Sequence, residues 1–342
     1  MKSKKQVTLA DIAEKMGVSK VTVSKALRNH SDISTETKQK VQKLVKELDY
    51  TPNIIARNLS AKKTRTIGLV IPRINHHFFS EAIESIYSTA QQKNYEIIMT
   101  VSRECAAEEV KHIRNLLAMR VDGLLISVTE NTKETAIFQE IKNRGLPLIF
   151  FDRVIEGLGF NCIMSDDETG AYKITEYAIQ QGYKNLGHIG GYKDTNIGAA
   201  RCNGFKQALQ ENNLEINPDY MVCGGFSVKD GYDGFMKLHK VNNLPEILFA
   251  VTFPVALGIY KAAQELGLSI PNDIDVISFG DAAYNQFLNP SITGIHMPAF
   301  DIGAKAVELI IDQIEERAAI EDKKIIMPVT LNIGQTCIKE EH

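Results

Sequence analysis

The amino-acid sequence predicts an all-α N-terminal headpiece followed by a larger α/β core with two doubly wound parallel sheets. The first 65 residues are basic and contain a single glycine, Gly17. From Ile67 onward, short apolar runs rich in β-branched residues recur, as is typical of buried parallel strands. Amphipathic helical patterns separate these runs, which indicates right-handed crossover helices.

The charge of the chain is divided unevenly between these two parts. The 342 residues carry a net charge of -3, but residues 1–65 hold 15 Lys and Arg against 6 Asp and Glu. A basic unit on an acidic body suits a polyanion, because affinity for phosphates depends on local positive charge. Composition alone also allows a solvated basic tail.

Other classes of protein are disfavoured by what the sequence lacks. No run of about 18 apolar residues occurs, and the polar N-terminus leads directly into a helical pattern, so we expect a cytoplasmic protein without a membrane segment. The five cysteines are scattered and form no CxxC pair, which argues against a disulfide framework or a zinc site. We predict no cofactor. We also predict no metal site, because the adjacent His76 and His77 cannot share one face of a helix or strand.

Capping signals define three helices in the headpiece. Thr8 and Asp11 form the pattern of a capping box. Gly17 suits the left-handed turn that ends a first helix, and Ser19 is placed to cap a second. The predicted helices are Leu9 to about Met16, Lys20–Leu27 and, after a cap at Ser34, about Thr35–Leu48.

The second of these helices carries short and cationic side chains on its outer face, while Val23 and Leu27 face inward. Lysine donates to guanine acceptors, a valine methyl meets the thymine methyl, and hydroxyls reach phosphates. The pattern predicts a helix-turn-helix whose second helix enters the major groove of DNA. The outer residues are Lys20, Val21, Thr22, Ser24 and Lys25.

Apolar runs in the core fall into two successive series of strands. The first begins at Ile67, Tyr95, Gly123 and Pro147. The second begins at Asn185, Glu246, Asp275 and Ile292, and a last run begins at Ile325. Two α/β layers in sequence are therefore expected.

Three motifs in the first 72 residues occur together and in order: VSxxTVSxxL from Val18, YxPNxxAR from Tyr50 and TxxIGLVIP from Thr64. This run resembles the lactose-repressor (LacI/GalR) family. The resemblance implies that Lys20, Val21 and Lys25 read bases, and it assigns Thr8 and Ser19 to DNA binding as well. The resemblance also implies a hinge between the DNA-binding domain and the core, and it assigns to Leu59 the role of the hinge residue that inserts into the minor groove.

The hinge has a physical basis of its own. The segment 53–60 is too short to form a stable isolated helix in water, so we expect it to order only against DNA beside its dimer mate. Leu59 would then kink the duplex, and Arg57 would meet a phosphate. A ligand that changes the separation of the two hinges would change operator affinity.

The resemblance extends through a core that is similar to periplasmic binding proteins. It implies residues 1–50 as the DNA-binding domain, 51–65 as the hinge and 66–342 as the effector-binding and dimerisation core. The N-terminal subdomain is expected at about 66–165 plus 297–323, and the C-terminal subdomain at about 166–293 plus 325–338.

A ligand in such a core lies beyond the carboxyl ends of the strands. The family pattern maps the effector site onto Phe78, Phe79, Asp152, Arg153, Arg201, Phe226, Phe253 and Asp281. Phe253 and Gly280 stand where relatives carry acidic residues. A sugar or sugar derivative is the leading expectation, and the arginines would admit a phosphorylated or acidic one.

Two other regulatory mechanisms and one other class of protein remain open. The same DNA-binding regulator could respond to a protein partner or to a ligand that is not a sugar. An α/β enzyme is less favoured, because no GxGxxG helix start, GxxxxGK[ST] loop or GxSxG elbow is present.

We expect a homodimer on a pseudo-palindromic operator, since each chain supplies one reading helix. The sequence ends within a few residues of its last predicted strand, which favours a dimer over a tetramer.

Overall fold

A computed structural model describes residues 7–27, 29–50, 63–240, 244–317 and 322–339. The chain forms two compact units, Met1–Thr64 and Arg65–His342. Within the described residues, no helix has the length and apolar character needed to cross a membrane.

The headpiece contains the three predicted helices. The capping box is formed, because the Thr8 amide donates to Asp11 Oδ2 (2.7 Å) and the Asp11 amide donates to Thr8 Oγ1 (3.4 Å). Gly17 ends the first helix with a φ of +63°, in the left-handed region that favours glycine. The helices are α1 (Leu9–Met16), α2 (Lys20–Leu27) and α3 (Thr35–Glu47).

One apolar cluster holds the headpiece together. Ile12 of α1, Val23 of α2 and Val41 of α3 are fully buried, and Ala26 and Tyr50 complete their surroundings. Each buried side chain of this size contributes about 1.5–3 kcal/mol to the free energy of unfolding. Because Val23 faces inward, α2 has a fixed rotation that turns its other face to solvent.

The first sheet of the core consists of six parallel strands. Along β1, Ile67 and Leu69 pack on one face while Val70 packs on the other. Because both faces are buried, the strand shows a continuous apolar run, as predicted. In spatial order the strands are β11 (Lys324–Met327), β5 (Asn161–Ser165), β4 (Leu148–Phe151), β3 (Gly123–Ile126), β1 (Thr66–Ile71) and β2 (Glu96–Val101).

The second sheet also has six strands, and only its edge strand β12 is antiparallel. Its spatial order is β12 (Thr330–Asn332), β10 (Thr293–His296), β9 (Asp275–Phe279), β8 (Ile247–Ala250), β6 (Leu186–Gly190) and β7 (Met221–Cys223).

Helices cover both sheets. Around the first are α4 (His77–Gln92), α5 (Ala106–Ala118), α6 (Ala136–Asn143) and α11 (Ala299–Ile314). Around the second are α7 (Asp167–Gln180), α8 (Asn196–Glu211), α9 (Val228–Lys240) and α10 (Phe253–Glu265), with 3₁₀ turns at Pro218–Tyr220 and Ala283–Phe287. The predicted fold class, a helical headpiece with a two-sheet α/β core, is confirmed.

The structure corrects the prediction at three strands. Strands β5 and β7 were not expected, although all eight strands of the two predicted series are present. The run from Ile325 is not one strand of the C-terminal subdomain. Its first part, β11, pairs with β5 in the first sheet, and only β12 pairs with β10 in the second. The chain passes from the first sheet to the second at Pro328 and Val329, between these two edge strands.

Candidate DNA-reading helix and effector cleft

The outer face of α2 presents the residues expected to read DNA. Val21 is 62% exposed, Lys20 is exposed, and Thr22, Ser24 and Lys25 are partly exposed. An exposed valine beside a lysine on a helix without acidic residues suits the major groove, where apolar methyl groups and guanine acceptors lie side by side.

Several of these residues already have partners within the headpiece. Ser19 Oγ accepts from the Thr22 amide (3.1 Å), so Ser19 caps α2. Thr8 Oγ1 lies 2.8 Å from Asp11 Oδ2 as part of the capping box. Lys25 Nζ lies 2.5 Å from Asp32 Oδ2, and this hydrogen bond lowers the pKa of Asp32. Lys25 must exchange Asp32 for DNA if it reads a base.

The hinge assignments cannot be compared with the structure. Arg57 and Leu59 lie outside the described residues.

In the core, the carboxyl ends of strands from both sheets meet in a cleft. Asn196, the first residue of α8, donates from Nδ2 to the carbonyl oxygen of Asp152 (3.0 Å) and accepts the amide of Val154 at Oδ1 (3.2 Å). Across the same cleft, the Arg153 guanidinium lies 4.8 Å from the centre of the Phe226 ring. These contacts join the end of β4 to the second half of the core.

Arg153 is neutralised by a carboxylate that the sequence analysis did not single out. Its Nη1 lies 3.0 and 2.9 Å from the two carboxylate oxygens of Glu104. Arg73 Nε also donates to Glu104 (3.1 Å), as does the backbone amide of Glu130 (3.1 Å). Arg153 is 4% exposed and Glu104 is 9% exposed. The pair is therefore shielded from water, and the attraction between its two charges is stronger in this buried environment than it would be in water.

Arg201 is also paired with groups of the protein itself. Its Nε donates to Asp167 Oδ1 (2.8 Å) and its Nη1 donates to the carbonyl oxygen of Val251 (2.8 Å). Its guanidinium lies 3.8 Å from the centre of the Phe279 ring. Burial raises the pKa of Asp167. A ligand that contacts Arg201 must add to or replace these partners.

Two titratable groups in the cleft are shifted toward their neutral forms. Burial raises the pKa of Asp152 to about 6. Burial and, secondarily, the charges of Arg153 and Arg201 lower the pKa of His76 to about 3. His76 Nδ1 is buried without a hydrogen-bond partner. At pH 7 His76 is therefore neutral, whereas Asp152 is still mostly ionised. A carboxylate accepts hydrogen bonds and a neutral imidazole both donates and accepts, so the cleft suits a ligand that offers donors and acceptors.

The predicted aromatic residues are buried and pack on one another, and Phe78 and Phe253 also reach the border of the cleft. Phe78 and Phe79 are buried edge to face, with ring centres 5.4 Å apart. Phe253 is buried and packs on Tyr284, with ring centres 5.5 Å apart. Phe78, Phe253 and Asp281 border a cavity of about 10 Å³. This cavity is far smaller than the roughly 300–1,000 Å³ typical of small-molecule sites.

Asp281 directs its carboxylate to the neighbouring strands. Asp281 Oδ1 lies 3.0 Å from His296 Nδ1, and Asn332 Nδ2 donates to Asp281 Oδ2 (2.9 Å). These contacts tie the loop after β9 to β10 and β12. Asp281 is therefore held by protein partners at the border of the cleft.

Known protein families match the sequence of both units. Residues 8–53 match the bacterial regulatory proteins of the lacI family, and residues 175–337 match the periplasmic binding protein-like domain. Catabolite control protein A of Priestia megaterium is 30% identical over 305 residues, which cover 89% of this chain and 91% of that protein. The chain belongs to the lacI family.

Other members of the lacI family match over similar lengths. The HTH-type transcriptional repressor PurR of Histophilus somni is 31% identical over 91% of this chain and 93% of its own length. The ribose operon repressor of Haemophilus influenzae is 30% identical over 90% of this chain and 92% of its own length. These relatives are transcriptional regulators, and this lacI-family chain is a DNA-binding transcriptional regulator with a core of the effector-binding type.

A solved structure from the lacI family agrees with the fold of the whole chain. The lac repressor dimer bound to operator and the anti-inducer ONPF superposes with a TM-score of 0.86 at 25% identity, covering 98% of this chain and 100% of that one. The resemblance identified from the motifs is confirmed.

The partners Glu104, Asp167 and Asn196 were missed by the sequence analysis. Glu104 follows β2 at the same edge where Asp152 follows β4, so its position at a strand end was a usable signal. Asp167 opens α7 after β5, a strand that was not predicted. Among the residues that the structure describes, no group of three or more His, Cys, Asp or Glu is arranged to hold a metal ion.

Proposed function

We propose that this regulator represses transcription as a homodimer on a pseudo-palindromic operator, and that a small effector in the core cleft changes its affinity for DNA. The observation that carries the proposal is the set of contacts joining Arg153 to Phe226 and Asn196 to Asp152 across the cleft. A ligand that enters must alter these contacts, so its binding is linked to the relative position of the two halves of the core.

The DNA-reading residues in this proposal are those on the exposed face of α2. Lys20 and Lys25 donate to guanine or phosphate, Val21 meets a thymine methyl group, and the hydroxyls of Thr22 and Ser24 reach phosphates. Thr8 and Ser19 cap the N-terminal ends of α1 and α2, where the backbone amides favour binding of a phosphate. Arg57 contacts the backbone and Leu59 enters the minor groove.

The effector in this proposal is a sugar or sugar derivative. Asp152, Arg153 and Arg201 offer the carboxylate and guanidinium groups that bind hydroxyls, and Phe78, Phe79 and Phe226 offer ring faces. The ribose operon repressor is one relative whose name refers to a sugar. On the C-terminal side, Asp281 and Phe253 lie at the border of the cleft. Phe253 and Tyr284 form an apolar surface there.

A second candidate is a regulator controlled by a protein partner or by a ligand that is not a sugar. Two observations favour it: the internal pairing of Arg153 and Arg201, and the apolar Phe253 with Gly280 on the C-terminal side. In either case, we place the protein's action in the cytoplasm, where the operator is accessible, and we assign it no catalytic reaction and no cofactor.

Selection of binding sites from random double-stranded DNA by the full chain tests the DNA half. We expect two inverted half-sites and a loss of affinity of about 10³- to 10⁵-fold between 50 and 200 mM salt, as for a protein with about 6–10 phosphate contacts. Leu59→Ala should lose most of the specific affinity while unfolding at the same temperature. A single unpaired half-site, or a flat salt response, would contradict the proposal.

A thermal-shift screen of the full chain tests the effector half. The panel contains sugars, sugar phosphates, uronates and nucleobases. We expect one class to raise the melting temperature and to change operator affinity at least tenfold. Stabilisation by nucleobases alone would support the second candidate, and a response only to a purified protein partner would do the same.

A further inference from the structure

A second cavity lies in the C-terminal half of the core, between the strands β6 and β7 and the helix α8. Its volume is about 330 Å³, within the range of sites for small molecules. It shares no lining residue with the small cavity of the effector cleft. The residues used below are His188, Gly190, Lys193, Cys202, Lys206 and Cys223, all of which line it.

His188 is the buried polar group of this cavity. Its ring stacks between Phe205 and Phe249, with ring centres 5.3 and 4.8 Å away. His188 Nδ1 lies 2.9 Å from the carbonyl oxygen of Phe249. A carbonyl oxygen only accepts, so Nδ1 carries the proton, and burial lowers the pKa of His188 to about 4. The ring is therefore neutral at pH 7, and Nε2 is a hydrogen-bond acceptor.

Nε2 of His188 has no hydrogen-bond partner, although the side chain is 1% exposed. The edge of the ring lies beneath Gly190, where a Cβ would stand 2.8 Å from Nε2. Glycine at this position keeps a side chain from filling the space over the edge of the ring. A buried acceptor without a partner is destabilising, and a hydroxyl or amine in the cavity would remove that cost.

Two lysines give the cavity a positive charge. Lys193 and Lys206 both line the cavity, and the charge of Lys206 adds to burial in lowering the pKa of His188. No Asp or Glu lines the cavity. Neither Lys193 nor Lys206 forms an ion pair with a residue in the described part of the core. Two ammonium groups without a counter-charge attract an anion, and lysine commonly serves as a point charge for phosphate.

We propose that this cavity binds a small hydroxylated anion, a phosphorylated or carboxylated polyol. A hydroxyl donates to His188 Nε2, and the anionic group lies between Lys193 and Lys206. This site is separate from the effector cleft and goes beyond the proposed function.

Alkylation of the cavity's cysteines provides a readout that is specific to this site. Cys223 is exposed and lines the cavity, and Cys202 is partly exposed on its wall. Cys105 is also exposed but belongs to the loop before α5, outside the cavity. Peptide mass spectrometry of the full chain treated with iodoacetamide follows each cysteine separately.

Glycerol 3-phosphate and glycerate serve as the phosphate and carboxylate probes, with glycerol and inorganic phosphate as their component controls. We expect at least one probe to slow alkylation of Cys223 threefold or more at saturation, with no change at Cys105. Each component alone should need at least tenfold higher concentration. Equal protection by inorganic phosphate would exclude the hydroxyl contact, and the absence of protection by both probes would overturn the proposal.

Two variants separate the charges from the acceptor. Lys206→Met should raise the half-protecting concentration about tenfold, whereas Lys237→Met, an exposed lysine of α9 outside the cavity, should leave it unchanged. His188→Phe keeps an aromatic ring between Phe205 and Phe249 but removes Nε2, and it should have a similar effect to Lys206→Met. Protection that is the same in Lys206→Met as in the natural chain would contradict the site.

Discussion

The Arg153 guanidinium lies 4.8 Å from the centre of the Phe226 ring, and these two residues belong to opposite halves of the core. The guanidinium also forms a two-oxygen ion pair with Glu104. Glu104 therefore holds Arg153 in place from the N-terminal half of the core. In the C-terminal half, the face of the Phe226 ring attracts the positive charge of Arg153. A cation over an aromatic ring contributes about 0.5–2 kcal/mol, more when water is excluded.

Glu104→Gln should destabilise the core by about 3 kcal/mol, because Arg153 would remain buried without its counter-charge. The free energy of unfolding in urea measures this change. Glu156→Gln is the matched control, since Glu156 pairs with Lys324 at 2.5 Å but both side chains are about half exposed. The control should lose about 1 kcal/mol or less. Equal losses for both variants would show that the burial of Glu104 has no energetic weight.

The buried pair of Arg201 and Asp167 should behave as one unit. Arg201→Met and Asp167→Asn should each destabilise the core by about 3–5 kcal/mol, because each leaves one charge buried without a partner. The double variant should lose at least 2 kcal/mol less than the sum of the two single losses. A double-mutant cycle on urea unfolding measures the coupling. Strictly additive losses would mean that the 2.8 Å hydrogen bond between the two side chains contributes nothing.

Arg201 should also affect the response to the effector. The double variant Arg201→Met, Asp167→Asn should bind operator as tightly as the natural chain. The change in operator affinity that the effector causes should fall at least tenfold. Fluorescence anisotropy with labelled operator measures both quantities. A normal response would remove Arg201 from the effector site and leave it a structural role.

Asp152 should make the core less stable as the pH rises through its titration range. The pKa of Asp152 is raised from 3.8 to about 6 by burial, so between these values the folded state binds more protons than the unfolded state. The stability gained from this difference is complete below pH 3.8 and is lost as the pH rises through about 6. Relative to Asp152→Asn, the free energy of unfolding should fall by about 2 kcal/mol between pH 4.5 and 7.

Comparison with Asp152→Asn at each pH isolates this effect, since His76 and His188 titrate in both proteins. The lowered pKa values of these histidines act in the opposite direction, because their stabilising contribution is lost as the pH falls through their folded values. A constant difference between the two proteins across this range would mean that Asp152 is not buried as a neutral acid.

Val21→Ala should weaken specific operator binding about three- to tenfold without changing the stability of the headpiece. Val21 is 62% exposed, so it contributes little to the core, but its methyl groups are available to a thymine. Non-specific DNA binding should be unchanged. Val228→Ala, at another exposed valine, is the control and should change neither property. An equal loss on specific and non-specific DNA would assign Val21 to general packing against the duplex.

The local signals in the sequence determined the helices and most of the strands. Thr8, Asp11, Gly17 and Ser19 mark helix ends through contacts within a few residues, so the headpiece helices could be predicted closely. The eight predicted strands of the core were recognisable because strands buried on both faces are continuously apolar. The family pattern assigned effector-binding roles to Asp152 and Arg153 at the end of β4 and to Arg201 in α8.

Contacts between distant parts of the chain were decided only by the tertiary structure. Glu104 meets Arg153 across 49 positions and Asp167 meets Arg201 across 34, and no local pattern specifies such pairs. The division of the run from Ile325 between two sheets could not be predicted either. The sequence on the two sides of Pro328 has a similar apolar pattern, and only the strands that pair with each side differ. Local sequence therefore determined the elements and the candidate residues, and the packing of the two sheets decided which charges are buried and with which partners.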